Sequence, residues 1–516
     1  MKTNFSVSLS LLFVLLLLPA TLRADSVCDA AQSLNITNDS PKDQEPVVTS
    51  KNRQVNARTV TAYMKFVDPD RPTIHVKSEA TGTAMQLLLP PNTNISGDPA
   101  VAFGAAAYAN RIYVAGAAYK GGDCFPEPQG CPKPTHIALW YTNDEGLTWT
   151  GPRLVVSGDQ STGNYFDKPA IAVSASSNVN QGQVYVASIR DGWLYVSRSS
   201  DGGNSFSGPT LVWGGARAFS PQIFVDYFGY VWLAWLEYGA LLNAPAANGD
   251  ICRPEDTPEA CAQNRATAHG RIRIARSTDN GATFVEESAP LDAGILLGPE
   301  QIACTPSNGR ENPVCRLYFL DAIYKSETNR SDYVQARSAL SGRFHAGNYY
   351  GGIALVWHAR ERDNIYAPTD VKLVRVSTFG RYPGWYPVIT IGHDTTRDQW
   401  NPAVEYDDSY YQGWLVSYYD RRLDVSNQLL YRVFMTRMSI DFANLDPCDR
   451  LLTSYDSDPK NPAAVPAPND PDMARKGFRI GEYQGLSYSG GFATAVFTYF
   501  TNSQADIHQV REAVWP

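Results

Sequence analysis

The sequence predicts an all-β protein built from a repeated unit, and three observations predict it. One octet is written three times: Thr142-Asn-Asp-Glu-Gly-Leu-Thr-Trp149, Ser199-Ser-Asp-Gly-Gly-Asn-Ser-Phe206 and Ser277-Thr-Asp-Asn-Gly-Ala-Thr-Phe284. Each copy follows a short strand-like stretch, namely Ile137-Ala-Leu-Trp-Tyr141, Trp193-Leu-Tyr-Val-Ser197 and Arg271-Ile-Arg-Ile-Ala275. Elsewhere Gly, Pro, Tyr and Trp punctuate the chain, and no long amphipathic helical pattern interrupts it. One octet would be weak evidence, but three in one chain, each behind a strand, mark a repeat.

The chemistry of the octet suits a tight hairpin. Asp144, Asp201 and Asp279 are placed to accept hydrogen bonds from backbone amides further along the turn. Gly146, Gly203 and Gly281 supply a backbone conformation that a side chain resists. Trp149, Phe206 and Phe284 are then expected to pin the hairpin to the hydrophobic body.

On these residues the chain resembles the Asp-box (BNR-repeat) sialidase superfamily of β-propellers. The clear resemblance spans roughly residues 98–284. It implies a single propeller of four-stranded antiparallel blades, with the octets as structural turns away from any active site. Counting units from Asp98 gives seven blades, with six as the alternative, as in sialidases.

In chain order, residues 1–24 read as an export signal: Lys2, an apolar core over Leu9–Leu18, and a small-residue cleavage site at Leu22-Arg-Ala24. That apolar run is short for a membrane span, and no later stretch qualifies, so a secreted product is expected. Asp25-Ser-Val ahead of Cys28 does not resemble a lipobox. Residues 25–97 read as an N-terminal tail and capping segment, and 98–516 as the propeller. Each unit opens with a Pro behind a polar residue. The first three begin at Asp98-Pro, Lys168-Pro and Ser220-Pro. A fourth is read at Arg316–Leu320 with Tyr333–Arg337, and a fifth at Ile353–Trp357. The sixth opens at Asn401-Pro, and the seventh runs from Glu482 to Arg511.

Six of the eight cysteines fall into near neighbours, Cys124 with Cys131, Cys252 with Cys261 and Cys304 with Cys315, leaving Cys28 and Cys448. Proximity alone suggests these pairings, since eight cysteines allow 105 connectivities. Metal ligation is the rival reading, but no Cys-x-x-Cys or His-x-x-x-His spacing occurs, so disulfides and no metal are expected. A net charge of −8 and a pI near 5.5 argue against a nucleic-acid partner. No cofactor motif is found, and a monomer is expected.

In a propeller the octets sit at the turns between third and fourth strands. The opposite face gathers residues just before each first strand and just after each second strand. Those positions hold Asp98, Asp167, Arg217, Arg397 and Arg479 before first strands, and Glu237 and Asp420-Arg-Arg422 after second strands. Such a set suits an acidic sugar, because arginine clamps a carboxylate bidentately and carboxylic acids move protons at a glycosidic bond. Arg217, Arg397, Arg479 and Arg421 are therefore candidate ligand-binding residues. The resemblance to sialidases, which use a Tyr–Glu nucleophile pair and an Asp acid/base, makes Tyr483 and Glu237 the candidate pair and Asp98 or Asp167 the candidate acid. The competing reading of every such residue is a solvated charge or an ion pair between neighbouring blades. The family's Arg-Ile-Pro motif is absent here, its place taken by Gly97-Asp98-Pro99. Two functions stay open: a sialidase-like exoglycosidase on an acidic glycan (with a propeller polysaccharide lyase as its variant), or a non-catalytic propeller that binds glycan or protein. Mutually paired charges at the site face favour the second.

Overall fold

The computed structural model describes residues 27–28, 33–37, 42–50, 58–68, 71–120, 134–159, 164–175, 181–190, 192–215, 218–226, 228–237, 269–287 and 290–295. Beyond these it describes 303–305, 314–316, 321–323, 334–336, 344–349, 352–359, 370–377, 384–393, 397, 399–407, 413–424, 430–439, 445–457, 477–478, 484–489, 491–501 and 504–513. They form an all-β, seven-bladed propeller of antiparallel sheets.

Blade 1 comprises Lys42–Ser50, Thr59–Asp68, Arg71–Ser78 and Ala84–Gln86. Blade 2 comprises Ile95–Phe103, Ile112–Tyr119, Pro134–Thr142 and Thr150–Asp159. Blade 3 runs Phe166–Val173, Val184–Arg190, Trp193–Ser199 and Thr210–Trp213. Blade 4 runs Ala218–Val225, Val231–Glu237, His269–Ser277 and Val285–Glu286. Blade 5 begins with Phe344–Tyr349, Gly352–Ala359 and Asp370–Ser377, and blade 6 with Gln399–Asp407, Gly413–Asp420 and Arg432–Ser439. Blade 7 is Gly485–Ser489, Phe492–Thr501 and Gln504–Ala513, and its fourth strand comes from the other end of the chain, Leu34–Asn35. The first strands touch one another in order round the ring, so they line the axis.

The core follows the ring. Strands buried on both faces leave no room for a single central core, and the apolar side chains collect in layers between successive blades. Trp140 joins Ile74 and Val76 between blades 1 and 2. Trp232 and Trp357 meet between blades 4 and 5, and Val48 and Tyr63 meet Val496 between blades 1 and 7.

Two expectations need correction, and they cancel in the count. Residues 42–86 are not a capping tail but blade 1, whose alternation of buried residues the sequence reading passed over for want of an intact octet. The unit read at 316–337 is not a blade. Its described strands, Val314–Arg316, Asp321–Ile323 and Val334–Ala336, pair outside the seven sheets. Blade 4 packs directly on blade 5, and the segment is an insertion between them.

The octets fold as expected and do more than turn the chain. Ser199 Oγ donates to Asp201 Oδ1 (2.7 Å) and accepts the Gly203 N–H (2.7 Å). Asp201 also accepts the Ser205 N–H (2.9 Å) and hydroxyl (2.6 Å). Asp144 and Asp279 repeat this pattern. The fourth and fifth octet residues are left-handed, as at Glu145 (φ 58°) and Gly146 (φ 93°), which turns the fourth carbonyl outward. In every copy that carbonyl accepts a bond from the preceding blade: Glu145 from Ser78 Oγ, Gly202 from Arg111 (2.6 Å), and Asn280 from Arg198 (3.0 Å). The boxes are interblade latches. Blade 1 carries a decayed box at Ser78-Glu-Ala-Thr-Gly-Thr-Ala84, where Gly82 keeps φ 66° and the Ala80 N–H still bonds Ser78 Oγ (3.1 Å).

Candidate functional site

The face opposite the boxes is shaped by a repeated backbone event. Five first strands carry a residue followed by proline: Glu45-Pro, Asp98-Pro, Lys168-Pro, Ser220-Pro and Asn401-Pro. At each the pairing with the second strand slips by a bulge. Proline has no N–H to give the ladder, so an inner strand accommodates it at a bulge. Asp98, Lys168, Ser220 and Asn401 take φ of 52°, 50°, 49° and 52° there. For an L-residue this region costs on the order of 1–2 kcal/mol.

Asp98, Lys168 and Asn401 link neighbouring blades. Lys168 Nζ donates to Asp98 Oδ1 at 2.6 Å, joining blades 3 and 2, with side chains 18% and 15% exposed. The Lys168 backbone N–H donates to Asp167 Oδ1 (2.8 Å), which fixes the bulge. Tyr119 and Tyr165 meet edge to face beside them, ring centroids 6.3 Å apart. Burial, and then the nearby Asp167 carboxylate, push the Tyr165 phenol well above its ordinary range, so it stays protonated. On the other side of the ring the buried His358 accepts the Asn401 N–H on Nδ1 (3.1 Å), and Gln484 donates to the Asn401 carbonyl.

The candidate residues separate accordingly. Asp98 and Asp167 come together with Lys168 at the axial end of blades 2 and 3. Glu237 lies at the end of its strand but accepts from Arg273 Nε (2.6 Å), and Arg273 also stacks on Trp213 (4.2 Å). Arg421 is buried and paired with Asp424 (3.1 Å), so it is turned into the protein rather than towards a ligand. Arg397 is half-buried ahead of blade 6. Tyr483, Arg217 and Arg479 lie outside the described residues, as do Cys124, Cys131, Cys252 and Cys261.

Sequence reasoning missed Tyr165 and Lys168 as partners, although Asn164-Tyr-Phe-Asp-Lys168 stood in the right place. It also missed the network round Arg422. That guanidinium bonds Asp420 Oδ2 (2.6 Å) and Asp449 Oδ2 (2.5 Å), and stacks on Phe434 (4.4 Å). His393 Nδ1 lies 3.0 Å from Asp449 Oδ1. Burial works against the Asp449 charge, but the His393 hydrogen bond and Arg422 outweigh it and hold the carboxyl at about 2. Arg422, Asp420 and Asp449 are buried, which makes the network a structural element of blade 6.

No protein-family profile matches the chain, and no curated protein matches it. Among solved structures it is similar to a protein of unknown function from Dyadobacter fermentans, at 12% identity over 95% of this chain and 98% of that one, TM-score 0.41. It is similar to Trypanosoma rangeli sialidase at 9% identity over 94% of this chain, spanning 58% of the sialidase, TM-score 0.39. A Penicillium chrysogenum α-L-arabinanase complexed with arabinobiose is 9% identical over 95% of this chain and 98% of its own, TM-score 0.39.

Proposed function

We propose that this protein is an exported propeller that binds an acidic glycan without cleaving it, at the axial face opposite the box turns. The observation that carries the reading is the pairing of the charges. The candidate carboxylates are engaged: Asp98 with Lys168, Asp167 with the Lys168 backbone N–H, and Glu237 with Arg273. A glycosidase needs one carboxyl ready to give a proton and a second group ready to attack. The Tyr119–Tyr165 pair beside a polar cluster suits sugar binding, where flat apolar surface meets a few fixed polar groups.

Export is part of the proposal and is supported by the N-terminal signal pattern and by Cys448, which is disulfide-bonded. A monomer is the expected state. The test is a binding screen of the mature protein on immobilised sialylated, uronate-containing and neutral glycans, run beside a release assay on the same panel. Retention of acidic glycans with no sugar released is the expected result. Release of sialic acid or uronate products overturns it in favour of the hydrolase or lyase.

A further inference from the structure

We propose that Lys168 reads the anionic group of the ligand, and that Asp98 holds its ammonium as a stand-in anion until the ligand arrives. The inference rests on the glycan-binding reading and names the residue and the ligand chemistry, a carboxylate- or sulfate-bearing sugar.

The repeated bulge is the starting point. Four first strands adopt the same left-handed conformation before proline, but with four different side chains, Asp98, Lys168, Ser220 and Asn401. Had the bulge served only to bend the strand, glycine would fill it without strain at each copy. Asp and Asn tolerate the region, whereas a lysine there is unusual. A side chain retained against its own backbone preference points to a use for that side chain.

Position then separates the copies. Ser220 and Asn401 are buried, while Lys168 and Asp98 stay partly exposed and pair across the boundary between blades 3 and 2 at 2.6 Å. Asp167 grips the Lys168 N–H, so the direction of the lysine is set from its backbone. The pair keeps 18% and 15% of its side-chain surface open, so an anion from solvent can reach it, and a ligand carboxylate or sulfate offers Lys168 the same acceptor that Asp98 offers. The Tyr119 and Tyr165 rings stand beside the exchange point to take the sugar.

The experiment is calorimetric titration of the mature protein with 3′-sialyllactose, tri-galacturonic acid and lactose, on wild type, Asp98→Asn, Lys168→Gly and Lys168→Gln, with a melting curve for each. Removing the stand-in anion should tighten acidic ligands by about fivefold in Asp98→Asn, the order expected for one such pair. Lys168→Gly and Lys168→Gln should each lose at least tenfold for acidic ligands. Lys168→Gly, relieved of its left-handed strain, should melt no lower than Lys168→Gln. Should Lys168→Gly fail to fold, Asp98→Asn and Lys168→Gln decide. Unchanged acidic affinity in the Lys168 variants makes the pair a plain interblade tie and overturns the inference. Wild type that binds lactose as well as the acidic ligands, unaltered by Asp98→Asn, also overturns it while leaving glycan binding standing. Absence of binding to any glycan removes both.

Discussion

Asp201 accepts four hydrogen bonds inside one turn, from the hydroxyls of Ser199 and Ser205 and the N–H groups of Asn204 and Ser205. What burial there is raises its pKa, but these bonds outweigh it and hold the carboxyl at about 2, as they do for Asp279. A folded value below the unfolded one, near 4, means that the stabilisation is present above pH 4 and is lost as pH falls towards 2. Asp201→Ala should therefore cost about 1–2 kcal/mol at neutral pH and flatten the acid-unfolding transition. Denaturant titrations at pH 7 and pH 3 measure both effects. Glycan affinity should be untouched, because the box lies on the face away from Lys168. An affinity loss at unchanged stability would show that the boxes do more than hold blades.

The box hairpin acts at the scale of the element. Its left-handed fourth residue offers one carbonyl to the previous blade, and the donor differs each time: a serine, an arginine with a tyrosine, and an arginine. The glycine after it admits no side chain in the first box, since a Cβ on Gly146 would lie 2.8 Å from Ser78 Cβ. The decayed box of blade 1 tests the account by repair. Ala80 stands where the aspartate belongs and Ala84 where the second hydroxyl belongs, while Ser78 and Gly82 are intact. The double substitution Ala80→Asp with Ala84→Thr should rebuild the turn and raise stability by about 1 kcal/mol, the net worth of a hydrogen bond or two. A melting temperature that stays put or falls would mean that the turn has diverged beyond that geometry.

At the scale of the whole molecule the ring must be closed, and the N-terminus closes it. Val27–Cys28 adds a parallel strand to the edge of blade 6, opposite Asp449 and Arg450. Leu34–Asn35 then supplies the outer strand of blade 7 before the chain enters blade 1. Asn35 Nδ2 donates to Asp506 Oδ2 (2.8 Å), and Thr37 Oγ1 accepts the Ile507 N–H (3.0 Å), so Asn35 and Thr37 form the clasp. The register brings Cys28 beside the segment that carries the disulfide-bonded Cys448, and it sets Cys304 opposite Cys315 across a hairpin. A non-reducing digest should yield peptides linking Cys28 to Cys448 and Cys304 to Cys315. Cutting the first link with Cys448→Ser should cost about 2–4 kcal/mol, read as a lowered melting temperature. A free thiol at Cys28 in the untreated protein would refute this closure.

The sequence by itself determined the repeat, the turn chemistry and the class of fold, because these are local. A Ser/Thr-x-Asp-x-Gly octet carries its own acceptors, donors and left-handed glycine, and a buried strand declares itself within a few residues. It also sorted residues between the two faces of the ring, since strand order follows chain order. What it could not decide was which charged residue meets which. Blade 1 stayed hidden because its octet has lost its aspartate, and the strands at 314–336 passed for a blade because apolar runs look alike until their neighbours are known. Glu237, Arg421 and Asp98 look equivalent in the chain as charged residues in loops. The tertiary structure assigns them Arg273, Asp424 and Lys168. Asp98 and Lys168 stand 70 positions apart and are joined by the rotation between blades, and Glu237 and Arg273 stand 36 apart across one blade, so no local pattern encodes either pair.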